Sequence, residues 1–304
     1  MSNTINIDQN KQTNLELLAA QRRLYSDAKI IQAIQLVVVV LIPILFALIV
    51  SVFQELKVWA SLYGFCALLV DAIVIDSLAQ EKRKTAARIQ ELFDSIVLTL
   101  KWNSFCVGAK PTPEIISQAS RSYLQREGGF DALKDWYPQG LESLPCGLAR
   151  LLCQRTNCLW DSDLRKKYQA IIYFLLAVVL FFGVGVSITV GASLQDFVLM
   201  FLAPLSPAFI VAIRIAKKQS ESIGTSDNFR KFSDKVWNNA LNNQLSESEL
   251  EEFSRQLQNE IFANRCSKEQ IPDWFYKLFR NNQQINMEEA TKRMLDEARV
   301  SSNR

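Results

Sequence analysis

Four stretches of the chain stay apolar for about twenty residues each, while the segments between them are amphipathic or polar. The first runs from Ile30 to Val52 without a charge. The second, Val58 to Leu78, is interrupted by Asp71 and Asp76. The third, Ala170 to Ala192, is again uncharged, and the fourth, Phe197 to Ala216, contains Pro204, Pro207 and Arg214. Stretches of this length match the hydrocarbon thickness of a bilayer as helices, the form that satisfies every backbone group within one segment. A polar segment of about thirty residues precedes the first stretch, and the apolar run is too long for a secretory signal. No segment has a convincing strand pattern. The pattern therefore predicts an all-α polytopic membrane protein with two transmembrane hairpins and helical cytoplasmic regions. The links Ser51–Lys57 and Ser193–Asp196 are short enough to force antiparallel neighbours.

Basic residues set the expected orientation. Arg22, Arg23 and Lys29 precede the first span, and Lys82, Arg83, Lys84 and Arg88 follow the second. Arg165, Lys166 and Lys167 precede the third, Lys217 and Lys218 follow the fourth, and the short links hold only Lys57. Positive charge accumulates on the cytoplasmic side, so both termini and the central region are expected there. This divides the chain into an N-terminal segment (1–29), hairpin one (30–78), a central cytoplasmic helical domain (79–168), hairpin two (169–216) and a C-terminal cytoplasmic helical region (217–304). Residues 1–13 are polar and expected to be disordered. Leu15, Leu17, Leu18, Leu24 and Tyr25 form the apolar stripe of a helix over 14–29. A loop-rich tract is expected over 128–168. C-terminal helices are expected over 226–242, 247–265, 271–281 and 286–300, with Ser246 and Glu249 spaced as a capping box.

Composition narrows the chemistry. The chain has no histidine, which excludes imidazole-based triads, dyads and switches. Its six cysteines lack paired CxxC spacing and read as packing thiols; no metal is expected. A net charge of +3 gives no reason to expect DNA or RNA as a partner. Phosphate loops and nucleotide fingerprints are absent, and no enzyme or cofactor is expected.

Three groups of residues remain as candidates. Trp136, Tyr137 and Trp160 lie in one tract with Arg150, Arg155, Arg165 and Lys166. Aromatic faces stack on bases and guanidinium groups fork onto phosphate, so the tract suits a nucleotide pocket; the same residues also suit a small core beside a positive-inside cluster. Asp71 and Asp76 are costly inside a span, and such groups mark pathways or partners. Counting from the outer ends puts Asp76 level with Arg214, a pairing between spans two and four. Asp71 then has no obvious cation and either lines a water-filled cavity or pore or is buried with hydrogen bonds or a proton. Finally, Gly183, Ser187 and Gly191 repeat every four residues, a small-residue stripe for packing within the four helices or for a seam between protomers.

RRLYSDAK (22–29), DWYP (135–138), ARLLCQRTNCLWDSDLRKKY (149–168) and IPDWFY (271–276) together resemble the S-4TM family of four-transmembrane pore-forming effectors. The resemblance runs over about residues 15–300, and CQRTNCLWDSDLRKKY is its most specific part. It implies an effector of bacterial anti-phage defence of the CBASS type. In such systems a cGAS/DncV-like nucleotidyltransferase makes a cyclic oligonucleotide on infection, and the effector disrupts the inner membrane. On that reading the chain is a homo-oligomer in the lipid bilayer that takes the cyclic oligonucleotide as its activating ligand. Two rivals stay open: a constitutive ion channel or transporter using Asp71 as a cation site, and a membrane scaffold whose C-terminal helices recruit a partner.

Overall fold

The computed structural model describes residues 3–242 and 244–302, without the side chains of residues 51, 158–161, 204, 273, 276, 277, 280–288, 301 and 302. Its α-helices are, in order, α1 (Ile5–Asp8), α2 (Gln12–Leu36), α3 (Ile42–Val52), α4 (Lys57–Val70), α5 (Asp76–Val97), α6 (Ser104–Val107), α7 (Pro113–Glu127), α8 (Cys146–Thr189), α9 (Leu194–Phe197), α10 (Ala203–Leu241), α11 (Glu247–Ser267) and α12 (Asp273–Ser302). No strand occurs among the described residues, and the all-α class stands. Three π-helical turns, Val37–Leu41, Asp71–Ile75 and Val198–Leu202, interrupt the apolar runs.

The helical runs 12–50, 54–97 and 146–189 are each long and apolar enough to cross a membrane. Leu194–Leu202 and Leu205–Leu241 make a fourth when taken as one span bent by 63°. Their outer faces fit lipid rather than water. Val58, Phe181, Ile188 and Val190 are among many large apolar side chains left more than two-thirds exposed, a surface that a water-soluble fold would bury. The chain is a polytopic membrane protein.

Two compact units divide the residues. The second unit holds Asp27–Glu81 and Arg165–Glu221 and contains the spans. Its breaks have local causes. Pro43 stands at the start of α3 and supplies no N–H to the preceding turn, which widens to the π form over Val37–Leu41. The Tyr63 hydroxyl from α4 donates to the Val38 carbonyl at 2.8 Å, satisfying a backbone group in that widened turn. Ala60, Gly64 and Ala67 are the buried face of α4, a small-residue stripe that lets neighbouring backbone approach.

The stripe expected on the third span is divided. The aromatic ring of Phe201 lies against Gly183, so that a Cβ there would meet Phe201 Cζ at 2.1 Å. Ser187 donates to the Gly183 carbonyl one turn back. Gly191 is beyond the end of α8, at φ +66, where it closes the helix as the Ala192 N–H bonds the Ser187 carbonyl. Gly183→Ala should therefore cost about 1–3 kcal/mol, because Phe201 must leave its stack on Phe197. Thermal unfolding in detergent checks this; an unchanged melting temperature would mean that the ring moves freely.

The first unit holds residues 1–26, 82–164 and 222–304. Its core joins Leu15, Leu18 and Leu24 of α2 to Ile89 and Phe93 of α5, with Leu151, Leu152, Trp237, Leu257 and Ile261. The α2 stripe read from sequence is thus a core face. Three expectations change. Residues 3–13 are ordered, because their amides match an irregular stretch that needs partners. Gln9 accepts from the Tyr137 N–H and its own amide donates to the Tyr137 carbonyl, while Asn10 exchanges bonds with Asp135 and Asn3 donates to the Leu141 carbonyl. The tract after residue 145 is helix rather than loop, since Leu148, Leu151 and Leu152 recur at helical spacing and bury on one face. The separate helices expected over 271–281 and 286–300 are one, α12.

Candidate functional site

In the second unit the intramembrane carboxylates have partners different from those expected. Asp71, fully buried, accepts from Arg214 Nη1 at 2.8 Å and from the Gln35 amide. Asp76 instead faces Lys218, at 3.6 Å, and accepts from Gln80. The expected Asp76–Arg214 pair is off by about one turn. Its depth count assumed straight helices, but the fourth span bends by 63° and so needs more residues to reach a given depth. The result is a polar seam tying three apolar runs together, with π turns beginning at Asp71 and just after Gln35. Such turns interrupt the regular ladder and are frequent where helices rearrange.

In the first unit most of the expected ligand residues have structural duties. Tyr137 is 1% exposed and donates to Asp94 at 2.7 Å. Trp136 is half-buried with its ring edge-on to Phe93. Arg150 is buried, and its Nε donates to the Leu98 carbonyl at 2.7 Å while Nη2 reaches Thr99. It thereby closes the carbonyl end of α5, where Thr99 turns the chain at φ 53. Arg165, in the second unit, is also buried and donates to Gln219. Lys166 is exposed on α8, and the side chain of Trp160 lies outside the described residues. Among the described side chains of the first unit, Trp136, Tyr137 and Arg150 do not share a cavity with Arg155.

Arg155 is the exception. Its Nε donates to Asp234 at 2.6 Å, and both line a cavity of about 460 Å³ between α8, α10 and α12. The other walls are Trp237, Asn238, Glu289, Ala290, Arg293, Met294 and Glu297. Sequence reading missed all of these. The one available signal was the Glu-x₃-Arg-x₃-Glu spacing of 289, 293 and 297, which puts three charges on one helix face.

The first unit also holds a buried charge network between α5 and α11. Asp94 accepts from Tyr137, from Gln258 at 2.8 Å and from Arg265 at 2.5 Å. Glu91, one turn away, accepts from Arg255 at 2.7 Å and from Gln258 at 2.8 Å. Burial works against the Arg265 charge, but Asp94, with Tyr25 and Tyr137 adding to it, more than offsets burial and holds the guanidinium protonated. Burial raises Glu91 above the usual carboxylate range, and the neighbouring Asp94 adds to this against the pull of Arg255. Glu91 binds its proton more tightly folded than unfolded. It therefore supports the fold most in acid and loses that contribution as pH rises above the ordinary carboxylate value. Between about pH 5 and pH 8, the melting temperature of Glu91→Gln should rise relative to the unsubstituted protein. A constant difference across that range would contradict the raised affinity.

Among the described cysteines, Cys153 is buried in this core, Cys146 and Cys266 are half-buried, and Cys66 and Cys106 are exposed. Burial pushes the Cys266 thiol up to about 11. No cluster of residues suited to a metal occurs among the described residues.

Comparison with known proteins fits this architecture of apolar runs joined to a helical unit. The SMODS-associating 4TM effector domain matches residues 3–294. The chain belongs to that family. Among its relatives is a Bacillus cereus (strain VD146) protein named "Probable CBASS effector molecule", 29% identical over 284 residues. The match covers 89% of this chain and 91% of that protein. No solved structure matches this chain.

Proposed function

We propose that this protein is a membrane effector of bacterial anti-phage defence that a cyclic oligonucleotide switches from a sealed to a leaking state. The observation that carries the reading is the Gln35–Asp71–Arg214 seam. An ion pair whose carboxylate is buried among apolar spans holds them in one arrangement, and it exposes charge to a water-filled path once they part. A ligand moves such an equilibrium by binding one arrangement better than the other. Family membership and the name of the Bacillus relative support the defence role. The ligand is the product of a cGAS/DncV-like nucleotidyltransferase, and the membrane is the bacterial inner membrane with both termini cytoplasmic. Four spans enclose little space on their own, so the leak forms in a homo-oligomer. A constitutive cation site at Asp71 is disfavoured because Arg214 already neutralises that carboxylate.

The test is release of a trapped dye from liposomes carrying the full-length protein, with cyclic di- and trinucleotides added singly. Release should appear with one ligand class and be absent without ligand. Leakage without any nucleotide would favour the constitutive channel, and silence with every nucleotide would remove the proposal.

A further inference from the structure

The cavity between α8, α10 and α12 combines features that select a particular kind of occupant. Its volume of about 460 Å³ lies within the range of small-molecule sites. Trp237 contributes to its wall while being 2% exposed, and its indole N–H has no hydrogen-bond partner among the described residues. That N–H is closed off from the open space of the cavity, so Trp237 offers it a ring wall rather than a donor.

The charges are mixed rather than basic. Arg155 is already paired with Asp234, and Arg293, Glu289 and Glu297 line the same space. A molecule carrying a dense negative charge, such as a triphosphate, would meet three carboxylates against two guanidinium groups. A purely cationic molecule would meet the guanidinium groups without compensation. The fitting occupant pairs an isolated anionic group with an edge rich in N–H donors. A phosphodiester carries a single negative charge. Among bases, guanine presents two adjacent donors, N1–H and the 2-amino group, spaced for the two oxygens of one carboxylate. Adenine presents one amino group beside a ring acceptor, which a carboxylate repels.

From this arrangement, and resting on the cyclic-oligonucleotide reading above, we infer that the cavity receives a guanine nucleotide unit of the activating ligand. Glu289 or Glu297 reads the guanine edge, Arg155 and Arg293 hold the phosphodiester, and the Trp237 ring forms part of the wall. Glu289, Arg293 and Glu297 follow one another at four-residue spacing on α12, so ligand binding engages one face of that helix.

The test measures binding to the full-length protein in detergent micelles by calorimetry, using cyclic di-GMP, cyclic GMP–AMP, cyclic di-AMP and an all-adenine cyclic trinucleotide. The guanine-bearing ligands should bind at least about tenfold more tightly than the all-adenine ones. The double variant Glu289→Gln with Glu297→Gln should erase that preference, and Arg293→Ala should weaken guanine-bearing ligands by about tenfold. Both change exposed side chains, so folding is not at stake. Equal or tighter binding of the adenine ligands, or unchanged affinity in both variants, overturns the inference. Liposome leakage separates the two claims. Nucleotide-triggered leakage that the cavity variants leave intact overturns the cavity and spares the proposed function. Guanine-selective binding at the cavity without any leakage does the reverse.

Discussion

Arg214→Met is expected to destabilise the protein by about 3–5 kcal/mol, the usual consequence of leaving one member of a buried ion pair behind. Asp71 is completely enclosed, and without Arg214 its carboxylate keeps only the Gln35 amide. Nothing else named on the seam carries compensating charge, since Lys218 belongs to Asp76. Asp71→Asn should cost less. It leaves a neutral side chain that still bonds Gln35, and Arg214, whose side chain is 28% exposed, can turn its head toward solvent. The order of the two single variants is therefore the informative result, with the double variant recovering part of the loss. Thermal unfolding in detergent measures all three. A loss of under about 0.5 kcal/mol for Arg214→Met would mean that Asp71 is satisfied without its cation. The same variants bear on the sealed state: if the seam holds the spans together, Arg214→Met should leak dye without ligand.

The second large effect is expected from Asp94→Ala. One carboxylate serves Tyr137, Gln258 and Arg265, and each of these is buried. Truncation strands a guanidinium whose side chain is 6% exposed, along with a phenol hydroxyl, and should cost about 3–5 kcal/mol. Asp94→Asn keeps one acceptor and the shape, so it should fall between Asp94→Ala and the unsubstituted protein. Adding Arg265→Met to Asp94→Ala removes the stranded charge and should restore stability in part, because an apolar replacement of a buried pair is often close to neutral. Denaturant unfolding followed by circular dichroism measures these differences. If Asp94→Ala and the double variant unfold together, the stranded charge is not the cause.

These effects separate what was legible in the sequence from what was not. The carboxylates in span two stood out because a charge among apolar residues is unusual on its face. Their partners did not, because pairing depends on how far each helix has advanced, and a bend at 202–205 changes that advance. The capping box at Ser246 and Glu249 was legible, being complete within four residues. A second one, Ser193 with Asp196, was equally local but read only as a short link. Polar residues 3–13 looked disordered since their partners lie more than a hundred residues away, in the stretch around Tyr137 and Leu141. Aromatic and basic residues over 136–165 looked like a ligand surface because composition does not say which way a side chain faces. Arg150 instead ends a helix, and Tyr137 anchors a buried carboxylate.

By itself the sequence determined that the chain is helical and crosses a membrane, since twenty apolar residues in a row must satisfy their backbone internally wherever the rest of the chain goes. Only the tertiary structure decided that Arg214 answers Asp71, that Asp94 unites three donors and that Arg155 shares a cavity with Trp237 and Arg293. Those are meetings between distant segments, fixed by helix register, π turns and bends that no local run of residues encodes.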